Sequence, residues 1–104
     1  MEKLTSHMIG ARVLIRSSDS GVHHGTLTAV EGTSVRLEDS RRLWAWATGG
    51  TGISLSEVAI CGIAHAESKI TMVVPDIVVS GVCEIIPTHG MCDATIDGAA
   101  VYKP

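Results

Sequence analysis

Residues Gly25–Asp39 read GTLTAVEGTSVRLED, which is two alternating segments separated by a turn. Apolar and polar residues alternate in Gly25–Val30 and again in Ser34–Glu38. A period of two is typical of a half-buried β-strand, and the Glu31-Gly32 dipeptide between the segments favours a reversal of the chain. This stretch therefore predicts an antiparallel hairpin at the centre of a β-rich fold.

Four further segments on either side of the hairpin have the composition of strands. They are rich in apolar and β-branched residues, and turn-forming residues separate them. The Asp39-Ser40 dipeptide is interpreted as a tight connection, and Gly81 as a bulge inside the last strand. Pro75-Asp76 is interpreted as the break between the last two strands. The predicted strands are Ala11–Arg16, Gly25–Val30, Ser34–Glu38, Arg41–Ala47, Ile70–Val74 and Ile77–Ile86.

One short helix is predicted after the fourth strand. Ser54 and Glu57 form the S-x-x-E pattern of a capping box, in which both side chains satisfy free backbone donors, and Gly62 is typical of a helix end. Thr88–Asp97 fits either a helix or a loop. The predicted fold class is α+β, mainly β: a small antiparallel sheet or barrel-like meander of about six strands with one short helix. We expect a single domain over residues 1–104, frayed over residues 1–10.

The composition limits the classes of function. Apolar residues make up 45% of the chain and charged residues 18%, which leaves modest charge to cover an exposed monomer and favours a homo-oligomer. The formal net charge of −3 gives no basic footprint for long nucleic acid, although a small anionic ligand remains possible.

The three cysteines, Cys61, Cys83 and Cys92, have no paired spacing and do not predict a disulfide framework. Cys61 and Cys83 lie among apolar neighbours and are expected to be buried, reduced thiols. Residues 1–11 lack the apolar segment of a signal peptide, and no stretch approaches the roughly 18 apolar residues of a membrane span. A cytoplasmic protein without membrane contact is therefore expected.

The most informative side chains for function lie in the segment RRLWAWA. Because strand side chains alternate, Arg42, Trp44 and Trp46 are predicted to share one face. Indole rings can stack on a nucleobase, and a guanidinium can bind a phosphate. The same residues serve equally well as core or interface packing, since Trp and Arg dominate interface hot spots. The segment therefore predicts either a ligand site, to which Arg41 is added, or a contact surface.

A glycine-rich loop, TGGTG, follows this strand and leads into the helix that Ser54 caps. Backbone N–H groups before a helix attract anions, which makes the loop a candidate phosphate cradle. It lacks the lysine of a P-loop, and a hinge between sheet and helix is the simpler interpretation. The predicted ligand-binding residues are Arg41, Arg42, Trp44, Trp46, Thr48, Gly49, Gly50 and Thr51.

Metal-binding and catalytic patterns are not evident in the sequence. His23 and His24 are interpreted as a solvent-facing turn, and as strand neighbours they would point to opposite faces. Glu84 is the most unusual carboxylate because it lies in an apolar strand, and Arg36 or Arg41 are its expected partners. No metal, cofactor or catalytic residue is therefore predicted, and an enzyme is the less favoured class.

Two resemblances add to this interpretation. Residues Gly25–Asp39 resemble the second and third strands of Sm-like and SH3-like small barrels. The segment RRLWAWATGGTGISLSEVAICG resembles a family of small, largely uncharacterised proteins from tailed bacteriophages, with GVHHGTLTAVEG upstream and VCEIIP downstream in the same pattern. This resemblance implies a phage-encoded accessory protein in the host cytoplasm, and it assigns no catalytic residues.

The sequence as a whole predicts a small accessory protein that binds and sequesters a small anionic ligand without turnover. A cyclic-nucleotide signal of host defence is the ligand that the phage resemblance suggests. The alternative is an assembly module that uses the tryptophans as an oligomer or host-protein interface.

Overall fold

A computed structural model describes residues 2–104 of the chain. The helices are α1 (Glu2–Thr5), α2 (Leu55–Cys61) and α3 (Gly90–Asp97), and the strands are β1 (Arg12–Ser17), β2 (Gly21–Glu31), β3 (Ser34–Ala45), β4 (Lys69–Ile70), β5 (Val74–Val79) and β6 (Val82–Pro87). Short 3-10 turns occupy Ser6–Met8 and His65–Glu67.

The strands form one antiparallel sheet in the order β4-β3-β2-β1-β6, and β5 pairs with β3 beside β4. Only Ser80 and Gly81 separate β5 from β6 in the chain. However, β5 pairs with β3 and β6 pairs with β1, and β2 lies between β3 and β1 in the sheet. The sheet must therefore curl until its two ends approach. The N–H of Val82 donates to the carbonyl of Thr33 over 2.9 Å, which ties the corner to the β2–β3 turn. The prediction of an α+β, mainly β fold with about six antiparallel strands is confirmed, and the strands form an open sheet.

Strand β1 is buried on both faces, and this divides the core in two. Val13 and Ile15 face the inside of the curl, where they pack with the cluster that contains Leu27. Leu14, between them, faces outward into a second cluster with Val58 of α2 and other helix residues. Helices α2 and α3 thus cover the outer face of the sheet, as expected for helices packed on one side of an antiparallel sheet.

The tight connection predicted at Asp39-Ser40 is wrong, because β3 runs through both residues. Asp39 has a positive φ of 50°, a conformation that aspartate tolerates better than most side chains, so the residue bends the strand without ending it. Before the bend β3 pairs with β5, as far as Ser40 opposite Val74, and after it Leu43 pairs with Ile70 of β4.

The predicted break between the last two strands is also displaced. Pro75 and Asp76 lie inside β5, and the chain turns at Ser80-Gly81 instead. Gly81 has a φ of +69°, a region that glycine occupies at low steric cost. The predicted bulge glycine is therefore the corner residue between two strands.

The capped helix is confirmed as α2: Ser54 accepts a hydrogen bond from the N–H of Glu57 over 3.4 Å. Gly62 ends it with φ +80° and ψ −159°, a region open essentially to glycine alone. The ambiguous segment Thr88–Asp97 contains helix α3, and α1 lies within the stretch predicted to be frayed, so three short helices replace the single one predicted.

Candidate functional site

A recess opens on the surface where β3 passes from β5 to β4. Its volume is about 320 Å³, which is at the small end of the range for small-molecule sites. We call it the Arg42–Trp44 recess. It is lined by His23, Ser40, Arg42, Trp44, Thr71, Met72, Val74 and Ile77.

Arg42 differs from the other four arginines of the chain. Each of those four has a partner, either a carboxylate or a set of carbonyl oxygens: Arg12 with Asp97 (2.7 Å), Arg16 with Glu84 (3.2 Å), Arg36 with Asp76 (2.8 Å) and Arg41 with the main chain after Thr95. The Arg42 guanidinium makes no ion pair or hydrogen bond within residues 2–104, and it lines the recess. It is thus a full positive charge available to a ligand.

Trp44 provides the aromatic surface beside this charge. The residue is 71% exposed, although a tryptophan is normally largely buried. Met72 and Val74 line the same recess and are also exposed. A flat ring can therefore lie against an indole and two aliphatic side chains while it reaches Arg42.

Ser40 places an unused hydrogen-bonding group in the wall of the recess. The residue is only 2% exposed, and its Oγ has no hydrogen-bond partner among the described residues. A buried hydroxyl without a partner carries a desolvation penalty, which a ligand atom could remove. Gly25 sets this position, because a Cβ there would lie 3.1 Å from the Ser40 Cβ.

His23 forms the other polar part of the wall and corrects the prediction of a solvent-facing turn. It is 1% exposed within β2, and its Nε2 lies 3.2 Å from the Ser20 Oγ. Burial, and then the positive charge of Arg42, lower the pKa of His23 below its usual value. The imidazole is therefore neutral at pH 7, and Arg42 supplies the charge of the recess.

Arg41, a predicted ligand-binding residue, is committed elsewhere. Its side chain is buried, and Nη1 donates to the carbonyls of Ile96 (2.8 Å) and Ala99 (2.7 Å), while Nε donates to the Thr71 carbonyl (2.8 Å). These bonds satisfy carbonyls at the C-terminal end of α3, where a cation is also favourable. Arg41 fastens the helix to the sheet and does not reach the recess.

The structure also separates the two tryptophans that alternation had placed on one face. β3 ends at Ala45, and the half-buried Trp46 beyond it packs against the outer core cluster that contains Leu43. It borders a different recess, with Thr48, Gly50 and Glu67. The period of two therefore holds for Arg42 and Trp44 and fails for Trp46, which lies past the end of the strand.

The glycine loop encloses a carboxylate. A Cβ on Gly50 or Gly52 would lie 2.5 or 1.9 Å from an oxygen of Glu57, so the end of that side chain lies against both glycines. Glu57 Oε2 is buried and has no partner among the described residues, which means that the glutamate half of the predicted capping box is not formed. A negative group therefore lies where a phosphate cradle was predicted. Thr48, Gly49, Gly50 and Thr51 do not line the Arg42–Trp44 recess.

Residues 10–96 match a protein family described as "Domain of unknown function (DUF6948)". The chain belongs to this family. No curated protein matches the sequence. The DUF6948 match includes every residue that lines the Arg42–Trp44 recess. It carries no statement of source or role, so the resemblance to tailed-phage accessory proteins stays a prediction.

A second polar cluster of this DUF6948 domain lies on the opposite face of β2 and was missed in the sequence. His24 is fully buried, and its Nε2 lies 2.7 Å from Asp93 Oδ1 at the start of α3. Its Nδ1 lies 3.2 Å from Nη2 of Arg12, which also binds Asp97. Because a guanidinium can only donate, Nδ1 must accept, and the proton is on Nε2. Residues 69 positions apart give no local signal for this contact.

Cys92 joins this cluster, and it brings three potential metal-ligand atoms, from His24, Cys92 and Asp93, within 4.8 Å of one another. Burial raises the pKa of Cys92 to about 12, so the thiol is protonated at neutral pH and is a poor ligand and nucleophile. Desolvation lowers the pKa of His24, and the charge of Arg12 beside it disfavours a cation. The cluster therefore anchors α3 to the sheet.

Two sequence predictions about single residues are corrected. Cys61 is half-buried and Cys83 is exposed, and Cys92 is the buried thiol instead. Glu84 pairs with Arg16 across the β1–β6 ladder, and not with Arg36 or Arg41. Within residues 2–104 no helix is long and apolar enough to cross a membrane.

Proposed function

We propose that this protein binds a small anionic ligand that carries a flat ring, and holds it in the Arg42–Trp44 recess without converting it. The observation that carries the proposal is the meeting of three unused groups in one recess. They are the unpaired guanidinium of Arg42, the exposed indole of Trp44 and the buried, unpartnered hydroxyl of Ser40.

Each group has a role that its chemistry suggests. Arg42 donates charge-assisted hydrogen bonds to a phosphate or carboxylate. The Trp44 indole stacks on the ring, an interaction worth about 1–3 kcal/mol for a nucleobase. A polar atom on the ring edge pairs with Ser40 Oγ once the atoms that cover this buried oxygen move aside, and this requirement distinguishes the ligand from a plain apolar anion.

The composition of the recess supports binding without turnover. The lining residues include no carboxylate or thiol, and Ser40 Oγ has no hydrogen bond to His23 or to any other base in the described chain. An activated serine needs such a contact. In the setting that the phage resemblance implies, the ligand is a cyclic-nucleotide signal, and holding it lowers its free concentration.

Calorimetric titration of the full chain with cyclic AMP, cyclic GMP, cyclic di-AMP and cyclic di-GMP tests the proposal. Since Trp46 is the other fluorophore of its type, the Trp46→Phe variant lets Trp44 report alone. We expect heat of binding with at least one compound and quenching of Trp44 emission over the same concentration range. Absence of both from a folded sample overturns the proposal.

A matched pair of arginine variants identifies the site. Arg42→Gln is expected to weaken binding about tenfold or more, because a hydrogen bond to a charged group is lost. Arg36→Gln removes the same charge from an exposed ion pair with Asp76 and should leave the affinity unchanged. Equal affinities for the two variants would place the ligand elsewhere.

An assembly surface is the second candidate function, and a specific observation favours it. Trp44, Met72 and Val74 line one recess and are 71%, 64% and 36% exposed. Contiguous exposed apolar residues are typical of interaction sites. Under this reading the chain is a homo-oligomer or docks a host protein. Light scattering then shows a mass above 10.9 kDa that falls in Trp44→Ala, and Trp44 emission does not respond to nucleotides.

A further inference from the structure

We infer that the Arg42–Trp44 recess selects a flat heteroaromatic ring bearing a single negative charge, as in a nucleoside cyclic monophosphate, over ligands that carry two or more negative charges. This inference rests on the proposed function and specifies its ligand. It depends on the charged groups among the residues that line the two recesses beside Arg42.

The recess itself provides one positive charge. Arg42 is the single Lys or Arg among its lining residues, and His23 beside it is neutral because burial and Arg42 lower its pKa. Three of the other lining residues, Met72, Val74 and Ile77, are aliphatic. A second anionic group placed here would be desolvated without a counter-charge, which is unfavourable.

A neighbouring recess adds repulsion. Arg42 and Trp44 also line a second recess of about 300 Å³, and its remaining walls include Asp19, Ser20 and Gly21. The two side chains thus form a ridge, with Ser40 among the residues on one side and Asp19 among those on the other. A ligand long enough to place a second phosphate across the ridge brings it towards Asp19, a like charge.

Other cations that could offset a second phosphate are engaged elsewhere. Arg41 is the next residue in sequence but donates to carbonyls on the far face of the sheet. Lys69 of β4 lies over the Tyr102 ring, 5.0 Å from its centroid. The residues that line the two recesses therefore present one cation and one carboxylate.

The test compares ligands that share a base and differ in charge. The full chain is titrated at pH 8 with adenosine, cyclic AMP, 5′-AMP, ATP and cyclic di-AMP. We expect cyclic AMP to bind tightest, with 5′-AMP, ATP and cyclic di-AMP about fivefold weaker, because each carries a second negative charge that Arg42 alone does not balance. Adenosine should bind about tenfold weaker than cyclic AMP, because it lacks the charge that Arg42 binds.

The Asp19→Asn variant tests the proposed cause. It should narrow the gap in affinity between cyclic AMP and cyclic di-AMP to less than about twofold, since the repulsion between Asp19 and the second phosphate is gone. Glu31→Gln removes one negative charge from a residue that lines neither recess, and it should leave the gap unchanged.

The failures of the two proposals are distinguishable. If affinity rises from cyclic AMP to 5′-AMP to ATP and Arg42→Gln abolishes it, charge selection is wrong and the proposed function stands. If cyclic AMP binds tightest but Asp19→Asn leaves the gap unchanged, Asp19 is not its cause and the ridge argument is overturned. If none of the five compounds binds, the proposed function fails and this inference with it.

Discussion

Two cross-strand pairs of the same residue types lie side by side on β2 and β3 and have opposite surroundings. The register sets His23 opposite Arg42 and His24 opposite Arg41. Helix α3 covers the second pair, and both of its side chains are buried and hydrogen-bonded. No helix covers the first pair, and its guanidinium has no partner among the described residues. His23 of the first pair is also buried and lies 3.2 Å from the Ser20 Oγ, so the difference is in the arginines. Arg41 stabilises the fold on one face, and Arg42 remains available for binding on the other.

The largest expected effect is a difference in the free energy of unfolding between variants of Arg41 and Arg42. Arg41→Met should lower the free energy of unfolding by about 3 kcal/mol, because several carbonyls at the end of α3 lose a charged donor. Arg42→Met should change it by less than about 0.5 kcal/mol, since Arg42 makes no such bond. Urea denaturation measures both. Similar losses in the two variants would show that the faces do not differ as described.

The two tryptophans test the same difference between a residue that stabilises the fold and a residue available for binding. Trp46→Ala should lower stability by about 2 kcal/mol, because the half-buried ring packs against the outer core. Trp44→Ala should leave stability within about 0.5 kcal/mol and abolish the proposed stacking. Thermal unfolding together with calorimetric titration measures the two properties. A strongly destabilised Trp44→Ala would assign that indole to the fold.

Acidification probes the histidines of the two pairs. Burial lowers the pKa of both His23 and His24 below the ordinary value of 6.5, so the unfolded chain takes up protons first as pH falls. Stability should therefore be constant above about pH 7 and decrease below it, by at most about 1.4 kcal/mol per pH unit for each histidine. Urea denaturation between pH 7.5 and pH 5 measures this slope.

His24→Asn should reduce the slope, because His24 faces Asp93, Asp97 and Arg12 in a site that holds it neutral. A stability that is flat over this range, or that rises on acidification, would contradict the neutral state of the two imidazoles.

The smallest effect concerns the glycine loop. Glu57→Gln should change the free energy of unfolding by less than about 0.5 kcal/mol, because the amide avoids the penalty on the buried Oε2 but gives up a favourable negative charge in the first turn of α2. Ligand binding at the Arg42–Trp44 recess should be unaffected. A larger loss of stability would mean that the carboxylate has a stabilising role that the described contacts do not show.

Local pattern was sufficient for much of the fold. The alternation in β2 and β3, the Ser54 cap and the Gly62 helix end follow from short-range chemistry, and the structure confirms them. The placement of Arg42 and Trp44 together follows from the same period of two. These features need only a few consecutive residues to be specified.

The remaining features depend on contacts between distant residues. Arg41 binds carbonyls at the end of α3, and His24 binds Asp93. These partners are distant in the sequence, so no local pattern predicts either contact. Asp39-Ser40 has the composition of a turn, but pairing on both sides keeps it in a strand. The burial of Ser40, which gives the recess its unused hydroxyl, follows from that bend and could not be predicted from the dipeptide.

The bend at Asp39 lets a single strand serve two neighbours, β5 before it and β4 after it. The Arg42–Trp44 recess lies between those neighbours, so the course of the main chain sets where it opens and the side chains set what it can hold. Relatives that keep this backbone course can exchange the residues equivalent to Ser40, Arg42 and Trp44 and so change what they hold, while the architecture is inherited intact.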